Sequence, residues 1–383
     1  MNTEYSMQFD VPFRYPVVFT RDMLDPANPS LAGVFQAGNP AARVQVVVDE
    51  GYAAARPDCA GRIERYFSAH GPAAAESIRF LPGGEAVKRE AGPAMALARE
   101  FIEAHLDRQS YVLAIGGGAM LDAVGFAAAI AHRGLRLIRA PTTTLSQNDG
   151  GLGVKNGVNL NGVKNALGVF APPWAVVNDL DALDTLSNAD WIGGHAEAFK
   201  VALIRDAEFF DALCADAPAL RRRDRAAQER AVMRCAARHL DHIRASGDPF
   251  ERGSARPLDF GHWAAHQLEA MSGYAVPHGR AVAIGVALDA EYARRKGWLP
   301  DAACDRLHRG LRDCGFDLNH PDLRRMDAAG ELELLRGLDL FREHLGGRLT
   351  LCMPRGVGAS FDVHDVDRTT MRACAESLGA PPP

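Results

Sequence analysis

The sequence predicts an α/β N-terminal domain of Rossmann-like type followed by a mainly α-helical C-terminal domain, spanning 1–185 and 186–383. Three observations predict this. Short apolar runs alternate with helical stretches up to about residue 180, a glycine turn closes one of those runs, and beyond about 185 the pattern is almost wholly helical. A chain of 383 residues is long enough for two domains, each with its own core.

Taken in order, RVQVVVDE (43–50), YVLAIGGG (111–118), LRLIRAP (135–141) and WAVVND (174–179) read as buried strands. Apolar residues dominate these runs without strict alternation, as in a parallel sheet covered on both faces. Between them CAGRIERYFSAHG and AVKREAGPAMALAREFIEAHL read as helical. Segments 191–247 and 260–345 are Arg/Glu/Ala-rich helical stretches broken at Gly and Pro, and the final APPP reads as a frayed tail.

The charge balance excludes several classes. There are 43 basic and 48 acidic side chains, a formal net charge of −5, and no basic tail, which argues against nucleic acid as the main partner. No run of about 18 apolar residues occurs, so no membrane span is expected. The N-terminal MNTEYSMQFDVPFRYP lacks a charged-then-apolar signal pattern, which gives a cytoplasmic expectation. The 7 Cys are scattered without a C-x-x-C pair, so reduced thiols are expected. Only five of the 43 basic residues are Lys, namely Lys88, Lys155, Lys164, Lys200 and Lys296. In so Arg-rich a chain, a Lys marks a place where a compact ammonium is wanted instead of a planar guanidinium.

Gly116-Gly117-Gly118 ends a strand and opens a helix, with Asp122 one turn inside. Such a turn lets backbone N–H groups approach a pyrophosphate, and it equally serves as a tight strand–helix connection. It is not G-x-G-x-x-G. A second polar loop, PTTTLSQNDGG (141–151), also follows a strand and strengthens the case for a nucleotide crevice. Further on, DFGHWAAH sets His262 and His266 four apart on one helical face, His278 follows in PHG, and His195-Ala196-Glu197 opens another helix. Two imidazoles, a carboxylate and an open fourth position form the usual catalytic zinc set; each His taken singly is equally a hydrogen-bonded helix residue. Finally, GLGVKNGVN leading into GVKN places Lys155 and Lys164 in a Gly/Asn-rich loop, with donors suited to a substrate phosphate.

With these motifs in hand, the chain resembles the sugar phosphate cyclases, of which 3-dehydroquinate synthase is the best-known member, from roughly residue 45 to 357. GGGAMLDAVGFAAAIAHRG looks like that family's NAD-binding turn, with Arg133 eleven residues after Asp122. PGGEAVK, PTTTLSQNDGGLGVKNGVNLNGVKN, GHAEAFK and DFGHWAAH…HG match its further segments. The resemblance implies a metal, Zn or Co, on Glu197, His262 and His278. It implies NAD contacts from Asp49, Glu85, Lys88, Gly116, Gly117, Gly118, Asp122, Thr142, Thr143 and Thr185. It assigns Lys155, Asn165 and Lys200 to phosphate or ring hydroxyls, Asp149 to a substrate hydroxyl and His266 to proton transfer near the phosphate. A homodimer is implied too, in which Arg133 reaches the neighbouring site.

The chain departs from the shikimate-pathway enzyme where that enzyme handles a substrate carboxylate. By ungapped spacing its Lys becomes Asp241, its Arg becomes Ala255 with Arg256 one residue off, its NFGH Asn becomes Asp259, and EHLGG (343–347) carries no Lys. An Asp facing a carboxylate is repulsive, so the expected substrate lacks one. The expected activity is cyclisation of a heptulose phosphate, sedoheptulose 7-phosphate, to a valiolone-type cyclitol with loss of phosphate. His266 departs from the 2-epi-5-epi-valiolone synthase pattern, which leaves product stereochemistry open. The alternatives are 3-dehydroquinate synthase itself and a metal-dependent polyol dehydrogenase of the glycerol dehydrogenase type.

Overall fold

The computed structural model describes residues 3–35, 42–70, 78–161, 163–246, 248–251, 257–344 and 346–379. Ala255, Arg256, Leu345 and the APPP tail lie outside the described residues. The first half contains β1 (Val17–Thr20), β2 (Val44–Asp49), β3 (Arg79–Leu81), β4 (Tyr111–Gly116), β5 (Arg136–Pro141) and β8 (Ala175–Asp179). These form one sheet in the order β1-β8-β5-β4-β2-β3, with parallel pairing throughout. The strands expected from sequence are all present within two residues of their predicted ends. Edge strands β1 and β3 are additions.

Helices α1 (Glu50–Ala55), α2 (Cys59–His70), α3 (Ala91–Glu103) and α4 (Gly118–Ile130) cover the sheet. β2 shows why apolar residues point both ways from one strand. Val44, Val46 and Val48 pack with Tyr66 and Phe67 of α2, while Val47 packs on the other face with Leu97 and Phe101 of α3 and Val124 of α4. Side chains alternate between faces, and both faces are dry.

The segment read as a Gly/Asn-rich loop is instead an antiparallel hairpin of β6 (Lys155–Leu160) and β7 (Val163–Phe170). The buried Arg139 of β5 fastens its base, donating to the carbonyl oxygens of Gly151, Gly153 and Lys155 and to Asn156 Oδ1. The polar loop after β5 also carries a helical turn, Ser146–Gly150.

The second half is helical, as expected: α5 (Asn188–Gly193), α6 (His195–Arg205), α7 (Ala207–Arg221), α8 (Arg225–Ala245), α9 (His262–Met271), α10 (His278–Arg295), α11 (Asp301–Cys314), α12 (Arg336–His344) and α13 (Arg368–Leu378). A small hairpin, β9 (Leu351–Pro354) with β10 (Ser360–Val363), is an addition. α10 is buried on every side from Ala281 to Ala293, the pattern of a central helix. Two glycines set its approach to its neighbours. Gly261, in the left-handed region at φ 78°, lies so close to α10 that a Cβ would stand 2.6 Å from Val286 N. A Cβ on Gly279 would stand 2.3 Å from the Gly193 carbonyl oxygen. The first contact holds the start of α9 against the middle of α10, and the second holds the start of α10 against the end of α5, just ahead of α6. No helix among the described residues is long and apolar enough to cross a membrane.

Candidate active site

The C-terminal ends of the parallel strands converge on a crevice, at the point where chain order reverses between β2 and β4. Asp49 and Gly116 flank that point, where an open parallel sheet binds ligands. Gly117 caps α4 and Gly118 is its first residue, so the α4 N-terminus presents free N–H groups to the crevice. Asp49 Oδ1 caps α1 by accepting from the Gly51 and Tyr52 N–H groups. Thr142 N–H donates to the Gly116 oxygen, and Thr143 Oγ1 pairs with Ser146 Oγ at 2.7 Å. Lys88, buried, donates at 2.7 Å to Asp122 Oδ2 and again at 2.7 Å to Asn165 Oδ1. Glu85 is exposed in the turn just before Lys88, and Thr185 closes the turn after β8 with its hydroxyl on Ala182 O.

Across the crevice the helical half brings three metal-type ligands together. Glu197, His262 and His278 place one donor atom each within 4.8 Å of one another. His262 Nε2 and His278 Nε2 lie 3.3 and 3.9 Å from Glu197 Oε1. Each ring's other nitrogen is committed: His262 Nδ1 faces Phe260 O at 3.3 Å and His278 Nδ1 faces Glu269 Oε1 at 3.2 Å. Protons held on both Nδ1 atoms would leave both Nε2 lone pairs free for a cation placed between the rings and the Glu197 carboxylate. Both oxygens of that carboxylate are buried without a completed hydrogen bond, although Lys200 Nζ forms an ion pair with it. A divalent cation in tetrahedral coordination, with one position open, fits this donor set. Lys164 Nζ stands 3.5 Å from Glu269 Oε1, so the hairpin also touches the partner of His278.

Burial opposes ionisation of Glu197, yet the charges of Lys200 and His262 hold its pKa at about 2. At Glu269 burial is likewise outweighed, by the His278 hydrogen bond and charge, and its pKa falls to about 2. Groups depressed in the fold contribute stability that is complete above their unfolded value of 4.5 and lost as pH falls toward 2. Chelated protein is therefore expected to show a urea midpoint that drops between pH 5 and 3. A midpoint flat across that interval contradicts the assignment.

Asp149, Glu197 and His239 form a second close group. His239 Nε2 lies 3.1 Å from Asp149 Oδ1 while Nδ1 lies 3.1 Å from Cys235 O. Nδ1 faces a carbonyl oxygen and Nε2 the Asp149 carboxylate, without completing a hydrogen bond, and this arrangement favours a charged ring. Burial opposes that charge, but Asp149 raises the His239 pKa well above its ordinary value. The charges of His239, Lys200 and His262 in turn outweigh burial and hold the Asp149 carboxyl far below the usual range.

This corrects the expectation for Asp241. That side chain is 46% exposed and pairs with Arg238 and Arg244 on the outside of α8, so it does not confront a substrate. The α8 residue turned into the site is His239, which was not singled out by spacing. Its signal was available: it continues the buried face of Ala231, Val232, Cys235 and Ala236. Glu269 was missed too, and its signal was one helical turn beyond His266.

Other expected residues are placed as follows. Lys155 is exposed and pairs with Glu251 at 2.5 Å. Asn165, expected on the substrate, sits on Lys88 in the nucleotide part of the crevice. His266 is exposed, its ring 5.5 Å from that of His262 and 6.3 Å from that of His278. Arg133 is exposed in the turn after α4, at φ 64°, with no side-chain partner among the described residues. His195 is a core residue, bonded to Gln228 Oε1 at 2.6 Å, and burial lowers its pKa to about 4.

A glycine turn at the ends of parallel strands, facing a Glu–His–His trio on helices, defines a two-part enzyme built for a nucleotide and a metal. Residues 78–193 match the 3-dehydroquinate synthase N-terminal family and residues 194–336 the 3-dehydroquinate synthase C-terminal family. A 3-dehydroquinate synthase from Cereibacter sphaeroides (strain KD131) is 36% identical over 309 residues, 79% of this chain and 81% of that one. One from Ruegeria sp. (strain TM1040) is 36% identical over 289 residues, 75% of this chain and 76% of that one. The chain belongs to the 3-dehydroquinate synthase-like family of sugar phosphate cyclases. Among solved structures, a 2-epi-5-epi-valiolone synthase from Streptomyces hygroscopicus subsp. jinggangensis 5008, with NAD+ and Zn2+ bound, superposes with a TM-score of 0.86. It is 28% identical, with 98% of this chain and 99% of that one covered. A 2-deoxy-scyllo-inosose synthase complexed with carbaglucose-6-phosphate, NAD+ and Co2+ shares the fold at 22% identity and a TM-score of 0.74, over 94% and 96% of the two chains.

Proposed function

We propose that this chain is an NAD- and metal-dependent cyclase of a heptulose phosphate that lacks a carboxylate, with sedoheptulose 7-phosphate as substrate and a valiolone-type cyclitol as product. One observation carries the reading. Among the described residues, which do not include Arg256, the site receives from α8 only His239, already held by Asp149, where a carboxylate would need a free Lys or Arg. Lys200 is likewise committed, buried against Glu197. Breaking such buried pairs costs about 3–5 kcal/mol. Lys155 is different: its pair with Glu251 is exposed and worth about 0–1 kcal/mol, so it is available to a phosphate.

The net conversion closes a carbon ring and releases phosphate without net oxidation. Bound NAD+ supplies reversible hydride transfer, and the metal, Zn or Co, acidifies the reacting alcohol. Glu197, His262 and His278 hold the metal, and the α4 N-terminus takes the pyrophosphate between Gly116–Gly118, Asp49 and Thr143. Asp149, kept ionised by His239, accepts from a substrate hydroxyl. Lys200 orients Glu197 from its buried side. His266, at the exposed end of the imidazole cluster, moves the proton near the leaving phosphate. The working unit is a homodimer in which Arg133 of the partner subunit completes the phosphate site.

Incubation with sedoheptulose 7-phosphate, NAD+ and Zn2+ or Co2+ is expected to release phosphate and a cyclitol, without accumulation of NADH. Turnover of only the carboxylated heptulosonate phosphate sinks this reading and leaves 3-dehydroquinate synthase, the activity named for the relatives at 36% identity. The polyol-dehydrogenase alternative retains only a shared fold. Separately, Lys88→Met strips the buried cation between Asp122 and Asn165. It is expected to weaken NAD+ binding about tenfold, or about 1.4 kcal/mol, in a fluorescence titration, with metal content unchanged.

A further inference from the structure

Residues 3–15 run outside every strand and helix of the fold, ahead of β1. Their sequence alternates strictly: Tyr5, Met7, Phe9, Val11, Phe13 and Tyr15 are apolar or aromatic, with polar residues or Pro12 between them. Period two over eleven residues is a strand pattern with one face intended for burial. That face is bare on this chain. Tyr5 is 85% exposed, Met7 83%, Phe9 78%, Val11 59% and Phe13 56%. Only the end of the segment is seated, by the Phe13–Phe250 ring contact and the Tyr15 hydroxyl bond to Leu152 O.

A matching edge exists on the same fold. Among the described residues, β7 has β6 as its single neighbour in a two-stranded sheet, and its outer residues include Val163 and Phe170, 60% and 49% exposed. The hairpin from Lys155 to Phe170 carries two Lys and no acid, while residues 3–13 carry Glu4 and Asp10 and no base. The two surfaces are also continuous, since Phe250 touches Phe13 on one side and stacks on Phe170 at 5.4 Å on the other.

We infer that residues 5–13 form an intermolecular strand that adds to the open β7 edge of a second copy of this chain. Backbone pairing supplies affinity, and the alternating aromatic face supplies register. Five such side chains bury on the order of 700 Å² per arm, and reciprocal exchange about 1,400 Å², within the roughly 1,200–2,000 Å² of a stable interface. This gives the proposed homodimer a defined surface, yet it is independent of which substrate the enzyme turns over.

Hydrogen exchange and sedimentation of the full chain at several concentrations test it. The expected result is a dimer in which amides 5–13 are protected increasingly as concentration rises. Phe9→Asp and Val163→Asp, both at exposed positions, each weaken dimerisation at least tenfold without changing hydrogen exchange in the core strands. A dimer unaffected by either variant overturns the inference. Protection independent of concentration means the arm folds onto its own chain, and arm amides unprotected in a dimer mean another surface is used; both also overturn it.

Discussion

Glu197→Gln is expected to empty the metal site and to lower turnover by about 10³-fold or more. The substitution keeps the side chain's shape but removes its charge, leaving two imidazole nitrogens as the remaining protein ligands. It also removes the ion-pair partner of the buried Lys200, leaving only the more remote charges of Asp149 and Asp259. A metal contributes several kcal/mol of charge stabilisation to such chemistry, and each 1.4 kcal/mol is tenfold in rate. Metal content by mass spectrometry after dialysis is the direct readout, since it does not depend on knowing the substrate. Full stoichiometric metal in Glu197→Gln contradicts the ligand assignment. Retained metal in His239→Gln is expected alongside it, because His239 pairs with Asp149 and stands outside the Glu197–His262–His278 trio.

Lys200→Met is expected to destabilise the metal-free protein by about 3–5 kcal/mol. Lys200 is buried among Glu197, Asp149 and Asp259, and these carboxylates raise its pKa although burial alone would lower it. Removing one partner of a buried pair leaves the others uncompensated, which costs more than an exposed pair ever contributes. For a domain of this size the loss corresponds to a melting temperature lower by roughly 10 °C. Lys200→Arg does not restore it, because the buried site fits a compact ammonium and not a planar fork. Lys296→Arg serves as the control: that side chain holds Asp367 at 2.9 Å near the surface, and a guanidinium makes the same contact. A Lys200→Met protein that melts within 2 °C of the parent, metal removed, defeats the argument.

How much of this was legible in the sequence depends on which force decides each element. β2, β4, β5 and β8 were readable because a strand buried on both faces is dominated by apolar residues, even where β5 carries Arg139. The proximity of Glu197, His262 and His278 was anticipated through the family resemblance, while residue type and spacing alone left His195 and His266 equally open. The β6–β7 hairpin was not. Its Asn, Gly and Lys residues favour turns, and it is held in place by Val158 packing against the α4 layer and by Arg139, a charge inside an apolar strand. Asp241 shows the limit of matching by spacing alone. Helical periodicity, the stronger physical constraint, puts His239 on the inner face two residues away and turns Asp241 toward surface arginines.

The start of β7 places two neighbouring residues on two different tasks. Lys164 reaches Glu269, which orients the His278 ring, while Asn165 reaches Lys88 and through it Asp122. One peptide unit thus spans the metal end and the nucleotide end of the crevice. A shift that accommodates one occupant moves the support of the other. Thermodynamic linkage then makes the effect reciprocal: whatever factor nucleotide adds to metal affinity, metal adds to nucleotide affinity.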